Sequence, residues 1–430
     1  MSRARCIVVV IALGALPLGR ICAEPLTAII HARAQTMTAE TLIDDATIWI
    51  RDGRIHKIAT GIVPPAGRGV LDAAGRIVTP GLMNAGTRLG LVEVSAVSET
   101  VDHAVSEGAL GAAFDVRFAI NPNSTLIPHV RADGLTRALS YPQASAVAPF
   151  AGSGVVLHLG PGPDLIDRPR AGMFVVIGGM SAAQVGGSRA AQWILLRNAL
   201  EEARRYQPAK GVGVPRDQLS NRLDIEALAP VLAGEMPLGI EASRESDLRQ
   251  AVALAEDFRI RLVLLGAAEA WRLAGLLADR RIPVVLDPTA NLPATFDAIG
   301  ARADNAALLA AAGVTIAFSI PGIQMSHNAG TAIREAAGLA VAAGLPRLEA
   351  LRAITINPAM IWGIDDHYGT IEPGKQADLV IWDGDPLEPS STPTDVIVQG
   401  EPMSLATRER ALTDRYAPAR AGDRWPPGYR

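Results

Sequence analysis

Between residues 79 and 364 the chain repeats one pattern: an apolar run of five or six residues, a break, then an amphipathic stretch. Alternation of this kind is what strand–helix units require. LGIEAS leads into RESDLRQAVALAEDF, RLVLLG into AAEAWRLAGLLADR, IPVVLD into a loop, and VTIAFS into a longer loop and helix. Across residues 188–206, Trp193, Leu196, Leu200 and Ala203 recur at spacings of three and four, which predicts a helix with one apolar face. Roughly 280 residues of such units fit a (β/α)8 TIM-like barrel, whose typical size is ~250. The alternative, an open doubly wound sheet, lacks its G-x-G-x-x-G after a strand. Residues 102–169 are rich in Gly, Pro and Asn and read as a strand with elaborated loops.

The two ends read differently. LTAIIHARAQTM, TLIDDATIWIRDGRIHKIAT and GVLDAAGRIVTPG alternate apolar and polar residues around Asp-Gly and Ala-Gly turns, as short antiparallel strands do. GTIEPGKQADLVIWDGDP and TDVIVQGEPM near the C-terminus repeat that pattern, so both ends are expected to build one small β-sandwich with the barrel inserted between them. With 49% hydrophobic and 20% charged residues, the 430-residue chain can fill such a core. Aromatic residues are only 4%, so that core is expected to be mainly Ala, Val, Ile and Leu.

The first 23 residues combine a basic start, the apolar CIVVVIALGALPLG and a small residue before Glu24, the plan of a cleavable export signal. The apolar run is shorter than the ~20 residues of a spanning helix. The expected division is therefore signal 1–23, first β-sandwich part 24–79, barrel 80–365, second β-sandwich part and tail 366–430. A periplasmic or secreted location follows, with no membrane attachment after cleavage. Cleavage after Ala23 removes Arg3, Arg5 and Arg20, taking the net charge from −4 to −7, and removes both cysteines. The mature chain then has no thiolate chemistry. No basic run forms a phosphate-binding stripe, so no nucleic-acid partner is expected.

IVTPGLMNAGTRLG at residues 77–90 resembles the opening barrel strand of the amidohydrolase superfamily, whose usual form is V-x-P-G-[LF]-I-D-x-H-x-H. GTIEPGKQADLVIWDGDP at residues 369–386 is similar to the strand pair with which such proteins return to the β-module. TIWIRDGRIHKI, residues 241–271 and ITINPAMIWGI look like the imidazolonepropionase-related branch. The resemblance implies a barrel set into a β-sandwich, and hydrolysis of carbon–nitrogen bonds by bound metal. It also implies where the ligands should lie. The paired histidines of strand one fall on Gly86 and Arg88, those of strands five and six on Glu241 and on Leu265 or Gly266, and the aspartate after strand eight on Pro321.

The histidines, at 31, 56, 103, 129, 158, 327 and 367, contain neither H-x-H nor H-E-x-x-H, so neither a metal nor another cofactor is expected. At the strand-one position, a cation pointing into a barrel mouth needs an anion or stays buried and unpaired at several kcal/mol. Glu241 is the expected partner of Arg88, either as a structural plug of the former metal site or as part of a site in which Arg88 binds an anionic ligand or polarises a carbonyl. Asp287 closes IPVVLD and Ser319 closes VTIAFS, both at the face where barrels do chemistry, although Asp before Pro is equally a turn starter. His103 and His327 lie within reach of the mouth without an identifiable triad partner. His158, with Asp164 and Asp167 nearby, reads as a general base held by a carboxylate or as a hairpin residue.

Two functions from different classes follow. One is a non-catalytic, metal-free member of the family that binds a small-molecule or peptide-like ligand, or serves as partner subunit of an active relative or in a homo-oligomer. The other is a hydrolase of amide or cyclic-amide bonds in which Glu241 or Asp287 acts as base and Arg88 as oxyanion stabiliser.

Overall fold

The computed structural model describes residues 26–40, 42–61, 64, 69–108, 110–145, 148–206, 219–321 and 327–416. The expected export signal lies outside the described residues. One eight-stranded sheet forms from both ends of the chain. Strand Leu379–Trp382 returns from the far end to lie antiparallel to Ile77–Pro80, pairing Leu379 with Pro80 and Trp382 with Ile77. Period-two burial makes this join hold: Ile29, Ile48, Val78, Leu379, Ile381 and Ile397 all point into one apolar layer. Among the described residues no helix is long and apolar enough to cross a membrane.

The second sheet is the barrel, with strands β1 Leu82–Thr87, β2 Leu135–Ser140, β3 Gly152–His158, β4 Ile166–Val176, β5 Leu238–Ala242, β6 Leu262–Gly266, β7 Val284–Leu286 and β8 Ile316–Phe318. They pair in chain order, and β8 lies against β1 to bring the edges of the sheet together. The helix expected at residues 188–206 spans Arg189–Arg205, with the Ser188 hydroxyl accepting from the Ala191 amide as its N-cap.

Residues 102–169 differ from the expectation. They hold β2, β3 and the start of β4, and β3 runs antiparallel to both neighbours. Links of about a dozen residues or fewer, with no helix between them, permit only antiparallel neighbours, whereas a parallel crossover needs a dozen or more. Three of the eight barrel strands thus form a meander, and the bottom of this part is tied to the second sheet by buried charge. Arg137 of β2, fully buried, donates from Nε to Asp167 at 3.0 Å and from Nη1 to Asp378 at 2.5 Å. His367 bonds the same Asp167 at 3.2 Å.

The barrel interior is filled along its axis by aromatic rings. Tyr141 packs on Phe174 with ring centres 4.6 Å apart, and Phe174 on Trp362 at 5.6 Å. Glycines in the surrounding strands make the room. A Cβ on Gly239 would stand 2.9 Å from Phe174, and one on Gly172 would stand 2.9 Å from Trp362. The Trp362 indole N–H donates to the Ala85 carbonyl at 3.1 Å, so this buried polar tip is satisfied.

Candidate active site at the barrel mouth

Arg88 follows β1, Tyr141 follows β2, and Glu241 is the last residue but one of β5, which brings all three to the C-terminal rim where barrel chemistry is built. The β1–β2 pairing is irregular between Asn84 and Thr87, and the Gly86 amide turns back to the Asn84 side chain at 3.1 Å. Gly86 and Arg88 both face Tyr141 as a result. A Cβ on Gly86 would meet Tyr141 at 2.9 Å and Ser319 at 3.2 Å, so no histidine fits there without displacing the ring.

The Arg88 side chain is 4% exposed. Its guanidinium carbon lies over the Tyr141 ring, 3.7 Å from the centre, and Nη1 donates to the Thr87 carbonyl at 3.1 Å. Nε is buried and has no hydrogen-bond partner. The expected ion pair with Glu241 is not formed, because Tyr141 stands between the two. Its hydroxyl donates to Glu241 Oε2 at 3.5 Å while its face carries Arg88. Burial pushes the Tyr141 hydroxyl up to about 12, with the Arg88 charge opposing and the Glu241 charge reinforcing that shift.

His103 joins this cluster, which sequence reasoning had left without a partner. It is 6% exposed, its Nε2 bonds Gln143 Oε1, and its main-chain carbonyl accepts from the Gln143 amide at 2.8 Å. Gln143 lies two residues beyond Tyr141, so one short segment positions both the ring under Arg88 and the imidazole. His103 Nδ1 is buried and unpartnered. Burial, and after it the nearby Arg88 charge, holds the imidazole below its ordinary pKa against the pull of Gln143, so it is neutral near pH 7. Tyr141, Gln143 and the pairing of His103 escaped the sequence because they sit in the stretch without helical or strand periodicity.

The remaining candidates separate. Ser319 is buried at the end of β8 beside Gly86. Asp287 follows β7 at the same rim, but its Oδ1 accepts from the Thr289 amide at 2.9 Å and the Thr289 hydroxyl at 2.6 Å, a turn-capping arrangement. His327 is exposed, just ahead of helix Ala329–Ala342. His158 ends the antiparallel β3 opposite Arg137 and so lies at the other end of the barrel, with Nδ1 accepting from the Gly160 amide. Reversal of β3 takes it away from the mouth. The rim is braced by Asp297, in the loop after β7, which receives Arg189, Arg244 at 2.7 Å and the Gly179 amide at 2.7 Å.

Residues 261–403 match the sequence model of the amidohydrolase family. The fold superposes on an amidohydrolase from Thermotoga maritima MSB8 with a TM-score of 0.79 at 23% identity, covering 88% of this chain and 99% of that one. A third of the chain is thus similar to the amidohydrolase family, and the whole shares the fold of one. Its curated relatives match over shorter stretches. A segment of 46 residues is 54% identical to an imidazolonepropionase of Sphingopyxis alaskensis, 10% of this chain and 11% of that protein. A segment of 196 residues is 26% identical to amidohydrolase tasK of Hapsidospora irregularis, 44% of this chain and 20% of that protein. The chain thus spans a fifth or less of these relatives' length.

Amidohydrolase metal sites are built from clustered histidine and carboxylate side chains, and among the described residues no three His, Cys, Asp or Glu come together to hold an ion. At the positions where the resemblance places the strand-one histidines, this chain has a glycine pressed against Tyr141 and a buried cation. A guanidinium that is never neutral repels a divalent ion, so the residues present do not fit the group.

Proposed function

We propose that this protein works without metal and uses its barrel mouth to bind a small anionic ligand. One observation carries this: Arg88 is a buried cation with no carboxylate ion-paired to it and an Nε–H that makes no hydrogen bond. A buried unpaired charge costs several kcal/mol, a penalty that an incoming anion relieves. Glu241, Asp287 and Arg88 do not assemble a hydrolytic centre, because Asp287 is spent on its own turn and Tyr141 separates the other two. We extend the proposal to a chain that is exported and acts as a homo-oligomer or beside a catalytically complete relative.

Elemental analysis of the purified chain tests the central point, together with an assay on amide and cyclic-amide substrates. The expected result is metal far below one ion per chain and no turnover. Stoichiometric zinc, or hydrolysis abolished by Glu241→Gln, would replace the binding function with an enzymatic one.

A further inference from the structure

The mouth leaves two side chains, each more than nine-tenths buried, with one polar atom unpartnered: Arg88 Nε and His103 Nδ1. Their demands are opposite. A guanidinium nitrogen can only donate. The imidazole is neutral, and its Nε2 faces the Gln143 carbonyl oxygen, so Nε2 carries the hydrogen and Nδ1 presents a lone pair. One atom therefore waits for an acceptor and the other for a donor. Tyr141 and Gln143, two residues apart, hold the two groups in one cluster, and the half-buried Glu241 adds a second acceptor beyond the Tyr141 ring. Leaving buried donors and acceptors unmade costs about 1–3 kcal/mol each, so a ligand that satisfies both is favoured over one that satisfies only the cation.

We propose that the mouth selects a short carboxylate bearing an N–H or O–H donor on the carbon next to the carboxyl group. The carboxylate sits on Arg88 and the donor on His103 Nδ1. A bare carboxylate fills half the site, and an amine or alcohol without the carboxylate leaves the cation unpaired. This selection rests on the metal-free binding function proposed above. It asks more of the site, since an anion binder need not distinguish among carboxylates.

Titration calorimetry on the full chain separates these possibilities, with glycine, glycolate, acetate and ethanolamine as probes and metal content measured on the same sample. Glycine or glycolate should bind about tenfold more tightly than acetate, the factor one well-made hydrogen bond supplies. Ethanolamine should not bind. A preference for glycolate over glycine identifies O–H as the donor, and the reverse identifies N–H. His103→Phe should reduce the better ligand to the level of acetate, and Arg88→Lys should weaken every carboxylate. Acetate binding as tightly as glycine and glycolate in metal-free protein overturns the selection and leaves the anion site standing. Absence of binding by all three carboxylates overturns both, and stoichiometric metal overturns the metal-free function whatever the titrations give. The comparison among ligands uses the unaltered protein, so it holds even if a variant fails to fold.

Discussion

The Tyr141 ring carries the Arg88 guanidinium 3.7 Å above its centre and passes its hydroxyl to Glu241 at 3.5 Å. An aromatic residue thus separates a cation and an anion that would otherwise neutralise each other. The cation keeps its binding capacity because the ring's quadrupole compensates it less completely than a carboxylate would.

Arg88→Met tests whether this cation is structural. Methionine keeps the packing on Tyr141 and removes an unpaired buried charge, so urea unfolding should show stability unchanged or raised by on the order of 1 kcal/mol. A loss of about 3 kcal/mol or more, the usual result of breaking a buried ion pair, would mark Arg88 as a plug.

Arg137 should behave in the opposite way. Arg137→Met strips the shared cation from Asp167 and Asp378, both largely shielded from water, and should cost about 3–5 kcal/mol in the same measurement. Adding Asp378→Asn should recover part of that loss, since Asp378 is the member that burial already pushes toward its neutral form.

The pH dependence of this network has a definite sign. The hydrogen bond to Asp167 raises the pKa of His367 above its ordinary value near 6.5. Its contribution is complete below the unfolded pKa and is lost as pH rises through the higher folded value. Burial pushes Asp167 up, but the His367 and Arg137 bonds and charges outweigh it and hold the carboxylate low, so the pair stays intact in mildly acidic solution. The melting-temperature gap between the natural chain and His367→Asn should be widest below about pH 6.5 and narrow above it. A gap independent of pH would mean that the pair contributes no charge-dependent stability.

Asp297 fastens the loop after β7, which exposes Leu292, Phe296 and Ile299, to Arg189, Arg244 and the Gly179 amide. Asp297→Ala should open residues 287–300 to limited proteolysis while leaving the global unfolding midpoint nearly unchanged, because these ion pairs are partly solvated. Equal cleavage rates in both proteins would show that the loop is held by other contacts.

Much of the scaffold was legible in the sequence. The runs LGIEA, LVLLG, VVL and IAF become consecutive parallel strands because each is apolar on both faces, and the ends form one sheet because their apolar residues alternate. Position 88 stood out because a family pattern placed it at the mouth. What could not be read was the irregular stretch 102–169, whose hairpin strands carry no crossover helix and whose side chains supply Tyr141, His103 and Gln143. The Arg88–Glu241 pair was expected from opposite charge at two positions where the resemblance places metal ligands, and nothing local in the sequence told of the ring between them. The aromatic column is likewise a product of tertiary packing, since Tyr141, Phe174 and Trp362 come from three distant segments.

That column has a consequence for traffic through the molecule. With Trp362 packed beyond Phe174 and glycines drawn in around the rings, the column fills the barrel interior beneath Arg88. A guest seated on Arg88, as proposed, would then meet a filled floor and not a passage, so one occupant would bar the next.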